Sequence, residues 1–155
     1  MTVLDKLRAL LDARGVQYDV TQHAPVFTSE EAARVRGTPL ASGAKALICK
    51  AGERFVMFVM PADRRLDNKA VRKSLAIKGT RFATREEVLE LTTLVPGSIP
   101  PFGSVFGLQT YCDARLADQP RINFNAGDHA VSFSMNCADY IAVEVPTLGA
   151  YTSEA

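Results

Sequence analysis

A chain of 155 residues, 47% hydrophobic and 23% charged with a formal net charge of +1, has the composition of an ordinary globular protein and excludes a disordered or fibrous one. The length suits a single domain over residues 1–155, because at this size roughly 68–70% of the unfolded surface is buried on folding. No apolar run approaches the ~20 residues that cross a bilayer, and the mixed charges of the N-terminus are unlike a signal peptide, so a cytoplasmic protein without a membrane partner is expected.

The opening stretch TVLDKLRALLDARG places Val3, Leu4, Leu7, Leu10 and Leu11 on one helical face, with Thr2 as N-cap and Gly15 as the stop. VQYDV alternates Val16, Tyr18 and Val20 and reads as a short strand. TSEEAARVRG predicts a second helix, with Thr28 and Glu31 as a capping-box pair and Gly37 at its end. KALICK and RFVMFVM are two apolar runs separated by Ala51, Gly52 and Glu53, the pattern of a hairpin buried on both faces and closed by Pro61. LDNKAVRKSLA predicts a short helix capped by Asp67 that sorts Lys69, Arg72 and Lys73 from Ala70, Val71, Ser74 and Leu75. A strand around TRFA precedes TREEVLELT, a helix with Thr84 and Glu87 as a second capping box.

VPGSIPPFG then forms a loop, and SVFGLQTYC, RINFNAG, AVSFSM and IAVEV read as a strand-rich second half with a hairpin turn at residues 125–128. The fold class expected is mixed α/β: one mixed sheet with helices packed on it.

Charge is unevenly placed. From Arg64 to Arg85 the segment has a net of +7, its only acid being Asp67, which leaves −6 for the rest of the chain. Such a field attracts a polyanion, although a solvated helix face has the same composition. Cys49, Cys112 and Cys137 are odd in number and far apart, which suits reduced thiols. Neither His23 nor His129 has a close cysteine or second histidine, and no Walker or dinucleotide glycine loop is present, so no metal or other cofactor is expected.

Three features carry candidate chemistry. Lys45 stands in SGAKALICK where an apolar strand begins; it is either a cation at the edge of a cleft or a strand-end lysine that reaches water. The loop Gly97, Ser98, Ile99, Pro100, Pro101 is rich in prolines that restrict the backbone, and it either presents carbonyl groups to a ligand or serves as a rigid connection. Gly127, Asp128 and His129 sit at a hairpin tip, where the imidazole either meets a ligand or is solvated. No G-x-S-x-G nucleophile signature occurs, so water is the expected nucleophile of any hydrolysis.

Together SGAKALICK, VMPADRRLDNKAVRKSLAIKGTRFATREEVLELT, VPGSIPPFG and FNAGDHAVSFSM resemble, in order and over nearly the whole chain, the YbaK/ProX family of aminoacyl-tRNA editing domains, relatives of the insertion domain of bacterial prolyl-tRNA synthetase. The resemblance implies a mixed sheet flanked by helices and a hydrolase that removes a wrong amino acid from the 3′ end of a tRNA, foremost alanine or cysteine on a prolyl tRNA, with serine, threonine and other tRNAs also admissible. It implies that Lys45 is the essential lysine, and that Gly97 to Pro101, with Gly127, Asp128 and His129, line the aminoacyl pocket. Arg64, Arg65, Lys69, Arg72, Lys73, Lys78 and Arg81 would then meet tRNA phosphates, and an aminoacyl-tRNA synthetase is a candidate partner. Attack would come from water assisted by the terminal ribose hydroxyl. The alternative is a binding module that uses the same pocket without cleavage. Two positions depart from the family pattern: Ala46, where several branches carry a polar residue, and Thr93, where a glycine is often found four positions before Gly97.

Overall fold

The structure is a computed structural model that describes all 155 residues. Its centre is a five-stranded mixed sheet in the order β5-β2-β3-β6-β9, built from β2 (Ala44–Ala51), β3 (Arg54–Pro61), β5 (Thr80–Phe82), β6 (Gln109–Asp113) and β9 (Thr147–Gly149). The β2–β3 hairpin turns at Gly52, which has φ +64°, and pairs Ala44 with Pro61 through to Ala51 with Arg54. β3 and β6 run parallel, as do β6 and β9.

Alternation along the hairpin divides the core into two layers. Val56, Phe58, Met60 and Cys49 face a cluster completed by Val71, Tyr111 and Tyr151. Met57, Val59, Ile48 and Ala44 face the larger cluster, which includes Leu7, Leu11, Phe102, Phe124, Phe133 and Tyr140. Burial of the hairpin on both faces is the reason its runs are continuously apolar rather than alternating.

A second, antiparallel sheet has the order β1-β8-β7, from β1 (Tyr18–Gln22), β7 (Arg121–Asn125) and β8 (Val131–Asn136). A parallel bridge between Gly43 and Asn123 joins its β7 to the beginning of β2, which brings the two sheets together beside Lys45. A short ladder of β4 (Arg64–Leu66) and β10 (Thr152–Glu154) completes the strands.

The helices follow their caps. α1 (Val3–Ala13) has the full capping box, with Asp5 in place of the usual Glu, and buries Val3, Leu7 and Leu11. α2 (Ser29–Arg36) starts at Thr28, whose Oγ1 accepts from the Glu31 N–H, and ends at Gly37 in the left-handed region. Here the Thr28 hydroxyl donates to the Glu31 carboxylate, so the reciprocal half of the expected box is replaced by a side-chain bond. α3 (Asn68–Leu75) is capped by Asp67, and α4 (Arg85–Thr92) has the Thr84–Glu87 box.

Three expectations are corrected. The first strand begins at Tyr18 rather than Val16. Residues Gly103–Phe106 form a 3-10 turn before β6, because Gly103 must lie against the Thr110 hydroxyl that its N–H donates to. IAVEV belongs to helix α5 (Cys137–Glu144), where Tyr140 is buried and donates to the Pro101 carbonyl at 2.7 Å. A short β-branched run cannot be told from a buried helix by its pattern, and tertiary packing decides it.

Candidate functional site

The site lies where α2, the start of β2, the Gly97–Pro101 loop and the end of β7 converge. A cavity of about 230 Å³ opens between them. Its apolar wall includes Ala32, Ala33, Leu40, Ala46, Ile99 and Phe124. Its charged lining consists of Lys45 and Arg36, with no carboxylate among the lining residues.

Lys45 is half-buried at the second position of β2. Its Nζ donates to the backbone carbonyl of Arg64 at 2.8 Å. Burial lowers the ammonium pKa from its ordinary value, partly offset by the charges of Glu30 and Asp63. An ammonium has three donors, so two remain for a ligand.

Arg36, at the end of α2, went unnoticed in the sequence. Its Nε donates to Ser132 Oγ at 2.8 Å and its Nη2 to Asn125 Oδ1 at 3.0 Å. It makes no salt bridge, and burial pushes its pKa down to about 10. Nη1 lies 4.0 Å from the position a Cβ would take on Gly43, so the glycine leaves the cavity open beside the guanidinium. The signal was available as helical spacing: Ser29, Ala32, Ala33 and Arg36 fall on one face, two small residues followed by one large cation.

The guanidinium also orders the polar floor. Because Arg36 only donates, Asn125 must turn Oδ1 toward it, and the amide Nδ2 then donates to the Gly97 carbonyl at 2.7 Å. His23 Nδ1 faces the Ala24 carbonyl at 2.8 Å and Nε2 faces Ser132 Oγ at 2.8 Å, extending the network to the rim. Asn123 donates to Ser42 Oγ at 3.0 Å, and this anchors the other wall.

Most loop carbonyls are internally satisfied. Those of Ser98, Pro100 and Pro101 accept from the Gly127 N–H, the Phe102 N–H and the Tyr140 hydroxyl respectively. Gly97 and Ile99 line the cavity, and neither backbone group of Ile99 has a partner within the chain. Ser98, Pro100 and Pro101 are buried behind them. Gly127 has φ +86° and a hypothetical Cβ there would press on Val3 at 3.2 Å, while Asp128 accepts from the Ala130 N–H at 2.7 Å. These two residues shape the hairpin tip. Only His129 approaches the cavity rim, its ring 4.9 Å from that of Phe27.

The basic residues divide. Lys69, Arg72, Lys73 and Lys78 are exposed, and none makes a salt bridge. Arg64 donates to Thr152 through both Nε and Nη2, and Arg65 donates to Ser153 Oγ at 3.4 Å. Arg81 is held by Glu87 in a bidentate pair at 2.8 and 2.9 Å. Cys49, Cys112 and Cys137 are free and buried, and burial pushes the first two thiols up to about 12, so they serve as packing. No helix is long and apolar enough to cross a membrane.

Residues 23–143 match the family model described as the aminoacyl-tRNA editing domain. The chain is 34% identical over 148 residues to the multifunctional Ser/Thr-tRNA deacylase ProXp-y of Escherichia coli K12, covering 92% of this chain and 89% of that protein. It is 32% identical over 92 residues to the proline–tRNA ligase of Bacillus licheniformis, covering 59% of this chain and 16% of the ligase. In fold it matches, with a TM-score of 0.87 and 23% identity over 99% of this chain and 98% of the other, a crystal structure described as a candidate trans-editing enzyme for prolyl tRNA synthetase.

Proposed function

Since this chain belongs to the aminoacyl-tRNA editing domain family, we propose that it is a trans-editing deacylase that hydrolyses the ester linking a small wrong amino acid to the 3′ end of a tRNA. The observation that carries this reading is the charge of the cavity: two cations, Lys45 and Arg36, without a carboxylate, in a space of about 230 Å³. Such a lining favours a ligand that brings its own negative charge, as the terminal phosphodiester of a tRNA does.

In this reading Lys45 acts as a fixed cation, needing no proton transfer. One of its N–H groups is held by the Arg64 carbonyl, and the others face the phosphate or the oxyanion that forms on the ester carbonyl. Water adds to that carbonyl, giving up a proton. Collapse of the tetrahedral intermediate breaks the bond to the ribose oxygen, which takes up a proton, with the neighbouring ribose hydroxyl relaying it. The free backbone groups of Ile99 bind the aminoacyl portion, the carbonyl accepting from the α-ammonium.

The wall selects for size and polarity. Ala32, Ala33 and Ala46 leave room for a short side chain, while the Ser29 hydroxyl and the Asn123 amide oxygen, whose Nδ2 is held by Ser42, offer polar partners. That lining favours serine or threonine over alanine or cysteine, and the E. coli relative is named for Ser/Thr-tRNA. A hydrophobic site alone separates side chains differing by one methylene by only ~1–3 kcal/mol, the general reason synthetases need a second sieve. The tRNA is met by Lys69, Arg72, Lys73 and Lys78, with a prolyl tRNA and a synthetase partner among the candidates.

Deacylation of alanyl, cysteinyl, seryl and threonyl esters, each on a prolyl tRNA and on the cognate tRNA, tests the reading. Hydrolysis of seryl or threonyl ester ahead of the others is expected. Binding of these tRNAs with no release of amino acid from any would replace the deacylase with a binding module.

A further inference from the structure

At the cavity mouth the chain exposes a large aromatic ring. Phe27 is 71% exposed, yet it lines the cavity that holds Lys45 and Arg36. Its position is fixed from both sides. Val26 before it is buried and donates its N–H to the His129 carbonyl at 3.1 Å, and Thr28 after it caps α2. The His129 imidazole lies against the ring at 4.9 Å between centroids, tilted by 35°. His129 is backed in turn by the Gly97 turn, where a hypothetical Cβ would stand 3.4 Å from Nε2. An exposed phenyl ring costs solvation, and the chain leaves most of this one uncovered.

We propose that Phe27, supported by His129, is the stacking platform for the terminal base of the strand whose phosphate the cavity's two cations hold. This rests on the deacylase reading for the identity of the strand, a tRNA 3′ end, and goes beyond it in assigning the base a place. An aromatic ring beside a positively charged recess is the combination by which proteins hold a single-stranded terminus, since every base offers a π-face and every linkage a charge. Gly97, whose φ of +95° favours glycine, lets its turn lie in contact with the imidazole that supports the Phe27 ring.

The chain contains no tryptophan, so Phe27→Trp places a single indole at the platform. Its emission is followed while an uncharged acceptor-stem minihelix ending in CCA is added, and again with a minihelix whose 3′-terminal nucleotide is abasic. Saturable quenching by the intact end and not by the abasic end is expected. Unchanged emission while a labelled minihelix is seen to bind by anisotropy, equal responses to both ends, or no binding of either minihelix would overturn the platform. In parallel, Phe27→Leu keeps the apolar bulk but removes the π-face, and KM for the mischarged tRNA is expected to rise by about tenfold with kcat retained. An unaltered KM in Phe27→Leu would sink the platform and leave the deacylase reading standing. Base-dependent quenching in a protein that releases no amino acid would do the reverse.

Discussion

Lys45 Nζ is hydrogen-bonded to the main-chain carbonyl of Arg64, 2.8 Å away across the β2–β4 corner. The bond fixes the direction of a half-buried ammonium while leaving two of its donors open, and Arg64 is in turn anchored to Thr152 of β10. A site cation is thus held by backbone rather than by an acid, which would have neutralised it.

Removal of Lys45 should separate activity from folding. Lys45→Met is expected to lower kcat by about 10²–10³ while retaining a cooperative thermal transition, because loss of the hydrogen bond is offset by loss of a buried charge. Its pKa is depressed in the fold by burial, so between that value and the ordinary lysine value the unfolded chain binds more protons. The contribution of this group to stability therefore rises with pH through that window. Activity that needs the ammonium runs the other way: after subtraction of uncatalysed ester hydrolysis, it falls as pH rises through the depressed pKa. A stability profile and a rate profile compared between wild type and Lys45→Met measure both.

Arg36→Gln is expected to loosen the floor of the site. It leaves the Asn125 and Ser132 oxygens without their charged donor, at a cost of about 1–3 kcal/mol in chemical denaturation. Arg36→Lys should not restore the wild-type KM, since one ammonium does not reproduce a fork that reaches two acceptors. Equal KM in Arg36→Lys and wild type would reduce Arg36 to a general positive charge.

Thr93 gives a prediction of opposite sign. It is the C-cap of α4 with φ +65°, a left-handed conformation that a β-branched side chain adopts only under strain. Thr93→Gly is expected to stabilise the fold by about 1 kcal/mol, net of glycine's larger unfolded entropy, with activity unchanged.

The exposed cations should report on tRNA. Charge reversal at Lys69, Arg72 and Lys73 together is expected to weaken binding similarly for all tRNAs and to reduce the slope of log affinity against log salt by roughly 2 to 3. Arg81→Ala should do little to that slope, being committed to Glu87. It should instead release Glu87, whose carboxyl the Arg81 bond holds at about 2, helped by the Thr84 N–H. In the wild type that pair's contribution is present above the ordinary carboxylate pKa and fades as pH falls from about 4.5 toward about 2. Carboxyl titration by NMR follows the change.

The sequence made the helices legible where capping chemistry was local: Thr2, Thr28, Asp67 and Thr84 all stand at N-caps. It made the β2–β3 hairpin legible because burial on both faces leaves unbroken apolar runs. α5 was not legible, since its β-branched residues suit a strand and only packing of Tyr140 against the Gly97–Pro101 loop selects the helix. At the site, Lys45 stood out as a lone charge beside an apolar run. Arg36 and Phe27 did not, because each ends or precedes a helix in ordinary polar company and acquires its meaning from residues about 90 to 100 positions away, Ser132, Asn125 and His129.

The activity proposed for the Lys45 cavity is hydrolysis of the ester of a mischarged tRNA. Single-turnover release of amino acid from seryl- or threonyl-tRNA, measured with wild type and with folded Lys45→Met at equal tRNA occupancy, tests it most directly. Rapid release by the wild type and a loss of about 10²–10³ in the variant are expected. Equal rates in the two proteins would contradict it.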